Sequence, residues 1–420
     1  MQEKDYNSFE KSSLLLFVLM MLANACNYLF QIFTGHLLSV EEYAVENTLL
    51  SLYGILGIPN TIIALISAHY LAKENVSLHG RIRFVVKRLF RLAAVAALVV
   101  FLVGMISSKY ITQVFEIQND FYIQYVVVLS GIAVLYHAIY GILQGLQEFK
   151  IIGIQGFLVS FGKLVLSCVL ILAGWKIFGV LTGILIGTLI SILYGAHIVW
   201  KKIFKDVKDM KADAGNQTLS EFLDFVKYIC GAIVSQGAVI AFTNGDMLLI
   251  KYYFTETETG IYSSAMVIGK IAMYVSSAVI ATLFPMVVDL SAKGKDTRPI
   301  LNKAFLYGGG VCILCSLGMV FLGKFVIGVL FGKKYLQAIE YLPFVCIFIV
   351  PLTFVTILMN YLLALGRVKV FAISVVSGIV LCVLLTGLYH GTIGEVMLVC
   401  GGVLSCIFAI NMGYAVYRIC

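Results

Sequence analysis

Long apolar runs separated by short polar segments alternate along the whole chain. A helix of about 20 apolar residues crosses the hydrocarbon core of a bilayer. Only helices and closed barrels satisfy all of their backbone hydrogen bonds there, and barrel strands would alternate polar and apolar residues over much shorter segments. The pattern therefore predicts an all-α polytopic membrane protein with twelve spans, at roughly 13–35, 44–70, 86–107, 121–144, 152–173, 178–199, 222–254, 259–290, 304–330, 336–364, 370–389 and 393–417.

The Lys and Arg residues divide unequally between alternate loops. One side of the predicted membrane holds 21 of the 30, the other side holds six, and three fall within spans. Because cytoplasmic loops carry the excess of positive charge, both termini are expected in the cytoplasm. The first apolar run is too long for the core of a signal peptide, so we expect this helix to remain in the protein.

The longest cytoplasmic connection divides the twelve spans into six and six, which indicates an internal duplication. Ala44 after span 1 pairs with Gly260 after span 7, and Gln147 after span 4 pairs with Gly366 after span 10. The two pairs have nearly the same separation along the chain, as an internal repeat requires. An even number of spans in each half predicts two parallel repeats. The expected parts are an N-terminal six-helix lobe at 1–200, a basic linker at 201–220 and a C-terminal six-helix lobe at 221–420.

Composition agrees with the membrane class and argues against several others. Hydrophobic residues make up 61% of the chain and charged residues 12%, about half the usual share in soluble domains. The net charge of +8 follows from the cytoplasmic loops, so no nucleic acid partner is expected. Most of the ten cysteines lie in apolar runs without a set of metal ligands. With no P-loop or hydrolase motif and only short loops, neither an enzyme, a catalytic residue, a metal nor a cofactor is expected.

Two lysines lie deep inside predicted spans. Lys163 in span 5 and Lys270 in span 8 each lie about eleven residues, or about 16 Å, from the nearer end of the span. An ionisable group at this depth costs about 2.5 to 3.5 kcal/mol or more unless it faces protein, water or a ligand. One ammonium group from each half would favour an anion such as phosphate in a shared cavity. The alternative is that each lysine pairs with a neighbouring acid or carbonyl group.

Asp246 lies toward the outer end of span 7. It could pair with a lysine, or it could bind a coupling Na⁺ or H⁺. Two prolines, Pro59 in span 2 and Pro285 in span 8, interrupt the second span of each half. A proline inside a helix removes a backbone hydrogen bond and kinks the helix. Breaks at corresponding places of two repeats predict gating elements of a transporter, whereas a static kink is the alternative.

The stretch NGDMLLIKYYFTETETGIYSSAMVIGKIAMYVSSAVIATLFP resembles the start of the second half of bacterial polysaccharide flippases, in the multidrug/oligosaccharidyl-lipid/polysaccharide exporter superfamily. The segments GHLLSVEEYAV and LQGLQEFK are similar to the corresponding first-half elements, so the resemblance covers essentially the whole chain. Ala44 and Glu46 depart from the Gly and the aromatic residue that the family often has there. Five residues match the family pattern as they stand, namely Asp246, Gly260, Tyr262, Lys270 and Pro285.

The resemblance implies two six-helix lobes in a V shape, as in MATE transporters, around a cavity that opens alternately to each side. The implied substrate is an oligosaccharide on polyprenyl pyrophosphate, carried from the cytoplasmic to the outer leaflet of a bacterial cell membrane. A polysaccharide polymerase and glycosyltransferases would be partners, and H⁺, Na⁺ or the membrane potential would supply the energy. Three alternatives stay open: a multidrug or cation antiporter, a flippase for lipid II or a spore-envelope precursor, and a non-transporting envelope scaffold.

Overall fold

A computed structural model describes residues 3–77, 82–205 and 219–419. Every regular element in these ranges is helical, which confirms the all-α fold class. Most of the predicted linker at 201–220 lies outside the described residues. The α-helices are α1 (Glu3–Leu37), α2 (Val40–Leu56), α3 (Ile58–Ser77), α4 (Ile82–Val114), α5 (Asp120–Gly145), α6 (Phe149–Leu170), α7 (Lys176–Trp200), α8 (Leu219–Tyr253), α9 (Glu256–Ala292), α10 (Arg298–Ala304), α11 (Gly310–Leu330), α12 (Leu342–Ala364), α13 (Lys369–Leu388) and α14 (Ile393–Ile419).

Short helical turns of other types join several of these helices. A 3₁₀-helix covers Lys333–Tyr341 between α11 and α12. Three π-helical segments cover Ile171–Trp175, Lys201–Lys205 and Phe305–Gly309. In the first of them Gly174 has a φ of 91°, a conformation that glycine adopts without a steric penalty, and the chain turns there from α6 into α7.

Ten helical stretches in the described part of the chain are long and apolar enough to cross a membrane. One of them, Phe149–Ile203, is 55 residues long and contains both α6 and α7. Mean hydropathy over these stretches lies between 1.4 and 2.6. The protein is therefore multi-pass, and the count of twelve spans stays a prediction.

The chain divides into two compact units. Unit 1 comprises Met1–Glu42 and Leu52–Asn216, and unit 2 comprises Tyr43–Ser51 and Gln217–Cys420. In unit 1, α6 packs against both α1 and α7, while α5 packs against α3, α4 and α7. Close approach of α6 and α7 depends on glycine, because a Cβ added at Gly183 would lie 2.2 Å from Ser167 Oγ. The GxxxG spacing in α7 thus supports packing of helices within one unit.

Helix α12 is central to unit 2, where it packs against α9, α11 and α14. Most of its residues are buried. The short segment Tyr43–Ser51 from α2 also belongs to unit 2. There the fully buried ring of Tyr43 lies 5.7 Å from the ring of Tyr335 and 6.1 Å from that of Phe331. Aromatic contacts of this kind stabilise packing beyond the burial of area alone.

The same N-terminal cap starts two helices at corresponding places of the chain. Ser39 caps α2 in a capping box with Glu42, and Thr255 caps α9 in the same way with Glu258. Ser39 lies five residues before Ala44, and Thr255 lies five residues before Gly260; Ala44 and Gly260 are the first pair of positions that indicated the duplication. The two caps are therefore separated by the same length of chain as those landmarks.

Positive φ angles also recur at the repeat spacing. Glu116 has a φ of 49° and Gly332 a φ of 82°, and their separation equals that of the two caps. Gln147 and Gly366, the second pair of landmarks, share the left-handed conformation with φ values of 59° and 69°. These features support the duplication, which remains a prediction.

Candidate functional site

The hairpin of α8 and α9 places the charged residues of unit 2. The Thr255 hydroxyl accepts a 3.3 Å hydrogen bond from the Glu258 amide, which starts α9 immediately after the turn. Across this turn Lys251 Nζ forms a 3.1 Å salt bridge with Glu256 Oε1. These local contacts close the hairpin, so that Asp246 and Tyr262 face each other on adjacent helices.

Asp246 is buried, with 2% of its surface exposed. Its Oδ2 accepts a 2.8 Å hydrogen bond from the Tyr262 hydroxyl, and its Oδ1 has no hydrogen-bond partner among the described residues. Tyr262 is fully buried and its hydroxyl also lies 3.2 Å from Met397 Sδ. The buried carboxylate thus accepts one side-chain hydrogen bond, and the Lys270 ammonium group and the local backbone amides also act on it.

Lys270 lies on the same helix as Tyr262, two turns further on. It is half-buried, about 21 Å along α9 from the first residue of that helix. The ammonium group acts electrostatically on Asp246, yet within the described ranges no carboxylate lies within salt-bridge distance of it. A lysine that is deep, partly accessible and without a close counter-ion is suited to bind an anion.

Two sulfur-containing residues of α14, Met397 and Cys400, interact with the Tyr262–Asp246 pair. Cys400 on α14 interacts electrostatically with Asp246, and its Sγ lies 3.2 Å from Cys382 Sγ on α13. Both thiols are buried. Across the described residues, no group of three or more His, Cys, Asp or Glu comes together to hold a metal ion.

Lys163 is the corresponding deep lysine of unit 1. It is half-buried on α6, about 21 Å from the first residue of that helix, and its Nζ lies 4.2 Å above the ring of Phe30 on α1. One turn before it, Ser160 Oγ accepts a 3.2 Å hydrogen bond from Asn27 Nδ2. The aromatic face stabilises the ammonium group by a cation–π contact. Lys163 in unit 1 and Lys270 in unit 2 thus both lie deep in an apolar helix.

The two prolines occupy different positions relative to their helices. Pro59 lies in the first turn of α3, directly after the interruption at Gly57 that separates α2 from α3. A proline is tolerated in a first turn because the amide it lacks would have no helical partner. Pro285 lies within the range of α9, and its side chain is outside the described part of the structure. A gating role for either proline stays a prediction.

One buried acid was not selected as a site residue from the sequence. Glu46 on α2 is 1% exposed and belongs to unit 2. It acts electrostatically on Tyr43. An acidic residue inside an apolar span is by itself a signal of function, so Glu46 was detectable by the same criterion that selected Lys163 and Lys270.

The sequence of this chain matches a known family. The model of the family described as "Polysaccharide biosynthesis protein" matches residues 9–291. An uncharacterized membrane protein of Methanocaldococcus jannaschii is 28% identical over 190 residues, which cover 44% of this chain and 36% of that relative's length.

Solved structures of two kinds of transporter are similar over nearly the whole chain. An inward-facing multidrug resistance MATE family transporter of the MOP superfamily aligns with a TM-score of 0.73, at 14% identity, over 97% of this chain and 98% of its own. The lipid II flippase MurJ, in an inward closed conformation, aligns with a TM-score of 0.69, at 15% identity, over 96% and 87% of the two chains. At these identities the similarity shows the fold.

Proposed function

Because this chain belongs to the polysaccharide biosynthesis protein family, we propose that it is an alternating-access flippase for polyprenyl-pyrophosphate-linked oligosaccharide. It would carry a precursor of capsule, O-antigen or exopolysaccharide from the cytoplasmic to the outer leaflet of a bacterial cell membrane, with both termini in the cytoplasm. A polysaccharide polymerase and glycosyltransferases would act after and before it. The family and the flippase fold support a role in transport rather than catalysis.

The deep lysines are the observation that carries this proposal. Lys270 has no carboxylate within salt-bridge distance among the described residues, and Lys163 contacts an aromatic ring. Ammonium groups in a low-dielectric region bind phosphate oxygens through short, charge-assisted hydrogen bonds. We assign Lys270, helped by Lys163, to the pyrophosphate of the substrate. Movement about Pro59 and Pro285 would change the side to which the substrate site opens.

The membrane potential would favour transport in the outward direction. A negative charge that crosses an inside-negative potential releases about 2.3 kcal/mol per 100 mV, so a pyrophosphate with about two charges gains about 5 kcal/mol. Coupling to H⁺ or Na⁺ would add to this. Asp246 is the candidate for that ion, since its Oδ1 is buried and makes no hydrogen bond with any residue that the structure describes.

A multidrug or cation antiporter is the second candidate. The similarity to a MATE transporter and the buried carboxylate of Asp246 favour it. An organic cation needs acidic groups in its site. The deep, partly accessible charged groups that we assign to the substrate site, Lys163 and Lys270, are instead basic. A flippase for lipid II or a spore-envelope precursor differs from the main proposal only in the attached glycan and peptide, and a non-transporting scaffold would tolerate loss of every buried charge.

Proteoliposomes separate these candidates. The protein is reconstituted under an imposed potential, once with a fluorescent polyprenyl-pyrophosphate oligosaccharide and once with a fluorescent organic cation. Translocation of the lipid-linked sugar, with no movement of the cation, is the expected result. Movement of the cation alone would assign the protein to the antiporters. Movement of neither would favour the scaffold and exclude autonomous flipping.

A further inference from the structure

Unit 1 contains a group of three tyrosines that the assigned site does not use, Tyr53 on α2 with Tyr136 and Tyr140 on α5. We call this group the tyrosine face. All three side chains are half-buried. The ring centroids of Tyr136 and Tyr140 are 6.4 Å apart, and the hydroxyls of Tyr53 and Tyr140 both act electrostatically on that of Tyr136. The face therefore presents several neighbouring rings and hydroxyls together.

The hydroxyls of the tyrosine face differ in their hydrogen bonding from those of other tyrosines in the protein. Within the described ranges, none of the three phenol oxygens makes a hydrogen bond. Other tyrosines of the protein do make such bonds. Tyr125, also on α5, has its hydroxyl 3.0 Å from Thr182 Oγ1, and that of Tyr361 lies 2.7 Å from Thr297 Oγ1.

The depth of Tyr53 and Tyr136 makes this lack of partners informative. Tyr53 lies about 20 Å along α2 from the first residue of that helix, and Tyr136 about 24 Å along α5. An unsatisfied hydroxyl in hydrocarbon costs free energy that a spanning helix avoids. Hydroxyls at this depth are therefore expected to meet water or the polar groups of a ligand. Since the three side chains also remain partly exposed, such a ligand can contact both rings and hydroxyls.

A carbohydrate can contact both aromatic rings and phenol hydroxyls. The faces of a pyranose ring present C–H groups that pack on aromatic rings, and its rim presents hydroxyls that donate and accept hydrogen bonds, as phenol oxygens do. An organic cation would also bind aromatic rings, but it would leave the phenol hydroxyls unsatisfied. In addition, no carboxylate among the described residues acts electrostatically on Tyr53, Tyr136 or Tyr140.

We propose that Tyr53, Tyr136 and Tyr140 bind the glycan of the lipid-linked substrate. This inference rests on the proposed function, and it assigns to these three tyrosines a separate task from that of the lysines. The lysines bind the charged pyrophosphate, which every substrate of this class shares, whereas the tyrosine face binds the sugar. Removal of the face weakens binding only when a sugar is present.

The test compares two lipids on the full-length protein in nanodiscs. One is a synthetic polyprenyl diphosphate that carries a neutral trisaccharide, and the other is the same polyprenyl diphosphate without a sugar. The ratio of their dissociation constants measures the contribution of the glycan. We expect the wild-type protein to bind the sugar-bearing lipid about tenfold more tightly, as one or two satisfied hydrogen bonds would give.

Two double variants then distinguish the contribution of the tyrosine rings to glycan binding from that of the hydroxyls. The double variant Tyr136→Phe with Tyr140→Phe keeps the rings. Its preference for the sugar-bearing lipid over the bare lipid is expected to fall to about half of the wild-type value on a logarithmic scale. Tyr136→Leu with Tyr140→Leu removes the rings as well and is expected to abolish it, with the affinity for the bare lipid unchanged. Tyr125→Phe is the matched control on the same helix, because its hydroxyl already bonds to Thr182, and it should keep the wild-type ratio.

Several results would overturn the inference. If the wild-type protein binds both lipids equally, the tyrosine face does not bind the glycan, while the proposed flippase function stands. Equal loss of affinity for both lipids in the leucine variant would mean that the tyrosines only support the fold. If the wild-type protein binds neither lipid, the proposed function and this inference both fail.

Discussion

The Tyr262 hydroxyl donates a 2.8 Å hydrogen bond to Asp246 Oδ2 between two adjacent helices of unit 2. Both side chains are buried, at 0% and 2% exposure. Tyr262 also lies on the helix that carries Lys270, two turns away. The pair therefore connects the candidate coupling acid to the helix of the candidate anion site.

Loss of this bond should destabilise unit 2. In Tyr262→Phe the ring is kept and only the donor to the buried carboxylate is removed, which is expected to lower the free energy of unfolding by about 1–3 kcal/mol. Unfolding by denaturant in detergent micelles measures the change. Tyr252→Phe on α8, whose side chain is 55% exposed, is the control and should match the wild-type protein. Equal stability of the two variants would contradict the assigned hydrogen bond.

Packing of α6 against α7 predicts a contrast between two glycines. A Cβ at Gly183 would lie 2.5 Å from the backbone nitrogen of Ser167, whereas a Cβ at Gly156 would meet nothing within 4 Å. Gly183→Ala is therefore expected to destabilise the protein by about 1–3 kcal/mol. Gly156→Ala should be neutral or slightly stabilising, since alanine loses less backbone entropy in a helix. Melting temperatures of the two purified variants test this, and similar values would exclude the close contact.

Left-handed backbone at two corresponding positions gives a third prediction. Gln147 has a φ of 59°, and Gly366 has a φ of 69°. A residue with a Cβ pays roughly 1–2 kcal/mol in this conformation, so Gln147→Gly should stabilise the protein by up to about 1 kcal/mol and Gly366→Gln should destabilise it by about 1–2 kcal/mol. Denaturant titration of each variant gives these free energies.

The control for this prediction is the same substitution in a regular helix. Gln144 is exposed near the end of α5, where glycine should cost about 0.5–1 kcal/mol. Gln147→Gly and Gln144→Gly should thus change stability in opposite directions. A loss of stability in both would mean that Gln147 is not strained.

Local elements of the fold could be predicted from the sequence because the bilayer restricts the choices. Spans proposed at 222–254 and 259–290 agree with α8 and α9 within a few residues, since a backbone in hydrocarbon must be helical throughout an apolar run. The grouping of Tyr43–Ser51 with unit 2 could not be predicted in this way. It depends on contacts of Tyr43 with residues in the distant second half of the chain, which no local pattern encodes.

In the candidate site too, charged residues could be predicted from the sequence, whereas their contacts could not. The cost of a charge in lipid was sufficient to select Lys163, Lys270 and Asp246 from the sequence. Their partners were not predictable, because the Phe30 ring beneath Lys163 and the Tyr262 hydroxyl at Asp246 lie on other helices. The tyrosine face was also missed, since tyrosines are common in apolar spans and only the structure shows which hydroxyls lack a partner.

The proposed role of Lys270 is to bind the pyrophosphate of a lipid-linked sugar. The most direct measurement is the rate at which a fluorescent polyprenyl-pyrophosphate oligosaccharide crosses proteoliposomes that contain Lys270→Gln, with reconstitution checked by the amount of inserted protein. Lys303→Gln, in the same unit at an exposed position of α10, is the control. We predict a loss of about tenfold or more for Lys270→Gln and the wild-type rate for Lys303→Gln. A wild-type rate in Lys270→Gln would exclude Lys270 as the ligand of the pyrophosphate.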